Sequence, residues 1–177
     1  MGVCRVALGN MRVAIIGNSG SGKSALARQL AFSSGAAVLD LDTIAWVPGQ
    51  VAVPQDSTVA AAAVEAFCTA NPNWVVEGCY ASLIAATFVH QPDLIFLDPG
   101  VAQCVANCRS RPWEPHKYSS KAEQDQRLAF LIGWVEDYYV RQGDMSLAGH
   151  AALLEAYAGA KQVFHSLPGP DFSLTKP

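Results

Sequence analysis

Met11 to Gly17 (MRVAIIG) is a short run of apolar, partly β-branched residues that ends in a glycine-rich turn, the pattern of a buried strand. From Lys23 to Phe32 apolar residues return at helical spacing, at Leu26, Ala27, Leu30 and Ala31. Ala37 to Leu41 reads as a second strand, followed by a loop through Trp46, Pro48, Gly49 and Pro54. An alanine-rich helix is expected from about Ser57 to Ala70, closed by Asn71-Pro72-Asn73, before a third strand from Trp74 to Glu77. A helix from Ala81 to Val89 and a fourth strand within 93–98 come next, then a helix from Val101 to about Arg111. The 112–120 segment interrupts the pattern. Beyond it Leu128, Leu131, Ile132, Val135, Tyr138 and Tyr139 form an amphipathic stripe on a long helix. A last helix, about Leu147 to Ala158, leads to a fifth strand within Lys161 to Leu167.

Strands that alternate with helices, several of them wholly apolar, predict a parallel sheet covered on both faces. The fold class is therefore α/β, a three-layer sandwich on a five-stranded parallel sheet. One domain is expected over 11–167, with residues 1–10 as an extension and 168–177 as a loose tail.

Composition narrows the class. Hydrophobic residues make up 51% and charged residues 15% of the 177-residue chain, a globular balance. The net charge of -3 argues against a general positive field for nucleic acid or anionic membrane. No apolar run reaches the ~20 residues of a membrane span, and the N-terminus lacks a signal-peptide pattern. The expectation is a cytoplasmic protein. Cys4, Cys68, Cys79, Cys104 and Cys108 include no C-x-x-C pair and read as small buried hydrophobes.

The chemistry starts between the first strand and helix. Gly17-Asn18-Ser19-Gly20-Ser21-Gly22-Lys23-Ser24 matches G-x-x-x-x-G-K-S at every fixed position, after a strand and opening a helix. In such a loop successive backbone N–H groups face phosphate oxygens, and the helix dipole adds positive potential. Lys23 is expected to reach the β- and γ-phosphates of ATP, and Ser24 to ligate Mg²⁺.

Four carboxylates are candidates around the magnesium shell. Asp98 ends an apolar strand, but Pro99 follows it, so it is read as a helix N-cap. Glu77, before Gly78 at the end of Trp74-Val75-Val76, is the preferred metal-side carboxylate. Asp40 and Asp42 stand two apart, and strand alternation would put both on one side at the carboxyl end of a strand. One could serve the metal through water, and the other could accept the proton of a phosphoryl acceptor.

The chain resembles the adenylate-kinase-like group of P-loop kinases, and within it the small bacterial proteins labelled DNA topology modulation proteins. The likeness is carried by Gly17–Ser24, by Leu39-Asp40 through Trp46, Pro48 and Gly49, by Trp74-Val75-Val76-Glu77-Gly78-Cys79-Tyr80, and by Leu97-Asp98-Pro99. It implies a P-loop NTPase core of the nucleoside- or shikimate-kinase type, with Trp74–Glu77 beside the P-loop strand. The family usually has Asp-Gly where this chain has Glu77-Gly78. The Asp40-Leu41-Asp42 spacing is similar to that of shikimate-kinase-like enzymes, where such aspartates serve metal and acceptor.

Cations sharpen the picture. From 29 to 108 the chain has no Lys or Arg, although nucleoside-monophosphate kinases take acceptor-binding arginines from this region. A neutral hydroxyl-bearing acceptor fits better. Arg109, Arg111, Lys117, Lys121 and Arg127 then cluster where the resembling kinases carry a lid, here about 109–121, and Arg109 and Arg111 are expected to close on the γ-phosphate. Arg127 and Arg141 are expected instead to pair with Glu123 and Asp137 one helical turn earlier. Trp46, Tyr80, Trp113 and Tyr118 are expected around the crevice.

The reading is a Mg-ATP kinase of a small hydroxyl acceptor. It assigns Gly17–Ser24 to phosphate, Ser24, Asp40 and Glu77 to metal, and Lys23, Asp42, Arg109 and Arg111 to catalysis. The alternatives are a nucleoside-monophosphate kinase and a nucleotide-dependent regulatory or nucleic-acid-associated ATPase.

Overall fold

The computed structural model describes residues 10–50, 53–114, 119–169, 172 and 174. The expected extension, apart from Asn10, lies outside these residues, as do most of the expected tail and Cys4, His116, Lys117 and Tyr118.

Five strands, β1 (Arg12–Gly17), β2 (Ala37–Asp40), β3 (Trp74–Gly78), β4 (Asp93–Leu97) and β5 (Lys161–Phe164), form one sheet in the order β2-β3-β1-β4-β5. Every pairing is parallel. β1 is central because its residues are apolar on both faces, and Val13 to Ile16 are fully buried. β3 lies beside it, with Ile15 opposite Glu77, and β2 lies beyond, with Asp40 opposite Glu77.

Alternation along β1 sorts the core into two layers. Val13 and Ile15 pack with Leu26, Ala27 and Leu30 of α1 (Lys23–Ser34) and with Phe164, Phe172 and Leu174. Ala14 and Ile16 face α2 (Ser57–Ala70), α3 (Ala81–Ala85) and α6 (Leu147–Ala156), through Val64, Ile84 and Leu153. A third cluster joins α4 (Val101–Ser110) to α5 (Lys121–Asp137) through Cys104, Cys108 and Val135.

Side-chain caps start several helices where backbone N–H groups would otherwise lack partners. Asp56 accepts from Thr58 N and Val59 N, Ser120 from Glu123 N, and Ser146 from Gly149 N. Glu123 reaches back to Ser119 N at 3.0 Å, which closes the start of α5.

The elements follow the expected order, with local departures. The helix from Ala81 stops at Ala85, and Phe88–His90 forms a separate 3-10 turn. Leu41 leaves the second strand for a 3-10 turn, Leu41–Thr43, because the Asp40 side chain accepts from Asp42 N at 2.9 Å and ends the extended backbone. Asp98 is not the N-cap of α4. Gly100, at φ 86, holds that position, while Asp98 accepts from Tyr139 Oη and, at 3.4 Å, from Gly100 N.

The expected Arg127–Glu123 pair is present at 3.0 Å. Arg141 instead donates to the carbonyls of Met145 and Trp134 and stacks 3.7 Å above the Trp134 ring. Cys68, Cys104 and Cys108 are buried free thiols, as small hydrophobes should be, and Cys79 is partly buried. Among the described residues, no helix is long and apolar enough to cross a membrane.

Candidate functional site

The loop between β1 and α1 sits where the sheet order reverses, with β3 on one side of β1 and β4 on the other. Ligands of open α/β sheets bind at such points. Two glycines are required by the path of the chain. Gly20 has φ +77, and a Cβ there would lie 2.3 Å from Cys104 O. A Cβ on Gly17 would lie 2.3 Å from Leu97 O. The loop is thus pressed against β4 and α4, and only glycine permits that approach.

Two asparagines tie the loop down. Asn18 Nδ2 donates to Val135 O at 2.9 Å, and Asn18 Oδ1 accepts from Ser19 N at 2.8 Å. Asn107 Nδ2 donates to Gly20 O at 2.8 Å. From sequence, Asn18 is assigned to phosphate binding within the loop and Asn107 is given no role. Only the long-range packing of α4 and α5 reveals either tie.

Lys23 is 8% exposed, and its ammonium donates to Asn18 O at 2.9 Å, folded back over its own loop. Ser24 Oγ donates to Glu77 Oε1 at 2.6 Å. That contact crosses from the first turn of α1 to the end of β3, and Glu77 is 3% exposed. Burial pushes the Glu77 carboxyl above its ordinary range and the charges of Asp40 and Asp42 add to this, while Lys23 and the Ser24 hydrogen bond act the other way.

A cleft of about 600 Å³ opens over these groups. Gly22, Lys23, Ser24, Asp40, Asp42, Glu77, Arg111 and Trp113 are among its lining residues. Asp40 and Asp42 both face the cleft, but strand alternation is not the cause. Asp42 belongs to the 3-10 turn beyond β2, and the turn packs on β3 because Gly78 has no side chain. A Cβ on Gly78 would lie 2.8 Å from Leu41 Cβ. The absence of a side chain at Gly78 thus serves the turn that carries Asp42, rather than only an approaching ligand.

The two arginines expected to close on the γ-phosphate part company. Arg111 lines the cleft and pairs with Glu114 at 3.0 Å, whereas Arg109 is exposed on α4 and is not among the lining residues. Gln124 holds the start of the expected lid segment, accepting from Glu114 N at 2.9 Å and donating to Pro112 O at 3.1 Å. Arg28 also lines the cleft, one turn beyond Ser24 on the same face of α1. Sequence alone gives Arg28 no role.

Behind the site, His150 is fully buried and bridges Tyr138 Oη (2.7 Å) and Cys79 O (2.8 Å). The carbonyl can only accept, so Nε2 carries the proton and Nδ1 accepts from the phenol. Burial drives the imidazole down to about 4, so it is neutral near pH 7. Burial likewise drives the Cys79 thiol up to about 12, which makes it a poor nucleophile.

Ser24 and Glu77 offer an oxygen pair at the mouth of the phosphate loop, the donor chemistry magnesium takes when it keeps several waters and bridges substrate phosphates. Among the described residues, no cluster of three or more His, Cys, Asp or Glu could hold a metal by itself. The residues fit a metal that arrives with a nucleotide.

No protein-family model and no curated protein matches the chain. Solved structures similar in fold include a sugar kinase from Janibacter (14% identity, TM-score 0.49, covering 88% of this chain and 84% of that one). A gluconokinase from Sinorhizobium meliloti is 17% identical (TM-score 0.48, 88% and 83% covered). A deoxyadenosine kinase from M. mycoides with bound dATP is 12% identical (TM-score 0.46, 87% and 90% covered). Likeness at this distance fixes neither reaction nor substrate.

Proposed function

We propose that the protein is a Mg-ATP-dependent kinase that transfers the γ-phosphoryl group to a small hydroxyl-bearing acceptor. The observation that carries the reading is the 2.6 Å contact between Ser24 and Glu77, in the same cleft as Lys23 and the acidic pair Asp40 and Asp42.

In this reading the amides of Gly17–Ser24 and the Lys23 ammonium hold the β- and γ-phosphates. Ser24 and Glu77, with Asp40 beside them, would hold magnesium, which would offset the negative charge of the phosphates. Asp42 receives the proton of the acceptor hydroxyl. The acceptor oxygen then forms a bond to the γ-phosphorus as the bond from that phosphorus to the β–γ bridging oxygen breaks, and ADP leaves. Arg111 closes on the equatorial oxygens, where charge spreads in the transition state. Arg109, exposed on α4, reaches the phosphates only if the 109–121 segment closes.

Arg28 supports a second reading, in which the acceptor is anionic, as a nucleoside monophosphate is. One experiment separates the two. ADP release is measured with Mg-ATP against a panel of neutral polyols, sugar acids and nucleoside monophosphates. Release that depends on a neutral polyol supports the first reading, and release that depends on a sugar acid or a monophosphate, both anionic, supports the second. Release indifferent to every acceptor but stimulated by DNA would favour a nucleic-acid-associated ATPase over both.

A further inference from the structure

Asp42 is the middle residue of the Leu41–Thr43 turn, and its backbone alone does not aim its carboxylate. Two aromatic residues from other parts of the chain do. Trp46 Nε1 lies 2.9 Å from Tyr80 Oη, and Tyr80 Oη lies 2.8 Å from Asp42 Oδ1.

The direction of this chain is forced. An indole N–H only donates, so Tyr80 Oη accepts from Trp46 and its single proton goes to Asp42. Burial and the charge of Asp42 push the Tyr80 phenol upward, so it stays protonated at working pH. The Trp46 and Tyr80 rings pack edge to face, 6.3 Å between centroids at 72°.

Trp46 is itself fixed, bridging Pro54 on an antiparallel segment in which Val47 N donates to Val53 O and Gln55 N to Ala45 O, each at 2.9 Å. Tyr80 is 8% exposed and directly precedes α3. Both aromatic side chains are therefore anchored independently of Asp42.

We propose that Tyr80, held in place by Trp46, is a positioning residue that aims the Asp42 carboxylate at the acceptor hydroxyl. The proposal rests on the reading above that Asp42 receives that hydroxyl's proton. Lys23, Arg28 and Arg111 line the same cleft, and each offers the carboxylate a competing charge partner. The Tyr80 hydrogen bond fixes Oδ1 and so limits how the carboxylate turns among these charges. Tyr80 touches Asp42 and is not among the residues lining the cleft, so it acts through the carboxylate and not on the phosphate.

The test is a double-mutant cycle read on Mg-ATP turnover with water as the acceptor, together with the Trp46 indole N–H resonance. Tyr80→Phe should lower kcat about tenfold, the size of one hydrogen bond to a charged group, with KM for Mg-ATP unchanged. In an Asp42→Asn background the same change should do nothing more. Independently of turnover, the Trp46 indole N–H, assigned with Trp46→Phe, should move upfield in both Tyr80→Phe and Asp42→Asn, because each removes or weakens its partner. Tyr80→Phe effects that multiply with those of Asp42→Asn, or an indole resonance blind to Asp42→Asn, overturn the relay. Turnover untouched by Asp42→Asn removes instead the proton-acceptor reading beneath it, so the two failures are told apart.

Discussion

Ser24 Oγ and Glu77 Oε1 are 2.6 Å apart, and between them they join the helix that follows the phosphate loop to the strand beside it. The contact buries a carboxylate next to Lys23 and Asp40, an arrangement that a core without a ligand has no reason to keep. Glu77→Gln keeps the hydrogen-bond acceptor but loses the charge. Metal-free thermal melts at pH 7 should show equal or slightly higher stability, by about 1 kcal/mol at most, because a desolvated charge is gone. Calorimetric affinity for Mg-ATP should fall about tenfold or more, the cost of one charged oxygen ligand.

Gly20 and Gly35 separate space from conformation. Both have positive φ, +77 and +69, but a Cβ would strike Cys104 O at 2.3 Å only at Gly20. Gly35→Ala should cost about 1 kcal/mol in urea unfolding. Gly20→Ala should cost more than about 2 kcal/mol and abolish nucleotide binding, since α4 must move off the loop. Gly133, within α5 with open space around it, should gain about 0.5–1 kcal/mol as Ala.

His150 sets a pH dependence. Its folded pKa is about 4 against an ordinary 6.5, so between those values the unfolded chain binds a proton that the fold does not. Stability should therefore drop as pH falls from about 6.5 to 4, by up to about 3 kcal/mol from this group. Urea unfolding of His150→Gln should show a shallower decline over the same window. Parallel wild-type and variant curves would mean that another group governs it.

Arg111 and Arg109 give contrasting expectations. Arg111→Ala should lower kcat at least about tenfold with little change in Mg-ATP affinity, as for a charge acting in the transition state. Arg109→Ala, at an exposed position away from the cleft, should stay within about twofold. Steady-state kinetics on both variants checks the pair.

Much of this was legible in the chain. Met11–Gly17 and Trp74–Glu77 are apolar at nearly every position, so a buried parallel sheet was readable from local pattern alone. Gly17–Ser24 fixes its own geometry through glycine and helix start. Asp98 misled because Pro99 imitates a helix start, whereas Gly100 with positive φ takes the cap and Tyr139, 41 residues away, takes the carboxylate. The ties made by Asn18, Asn107, Gln124 and His150 span long stretches of chain, and no local period encodes them. Arg141 misled because an (i, i+4) acid was available, yet two backbone carbonyls and an indole face outcompeted it.

The most direct measurement is calorimetric titration of ATP into the purified protein, with and without magnesium, for wild type and Lys23→Ala. Wild type should bind in the micromolar range only when magnesium is present, and Lys23→Ala should weaken that binding at least about thirtyfold, as loss of a charge-assisted phosphate contact does. Magnesium-independent affinity, or equal affinity in the two proteins, would contradict a phosphate cradle at Gly17–Ser24.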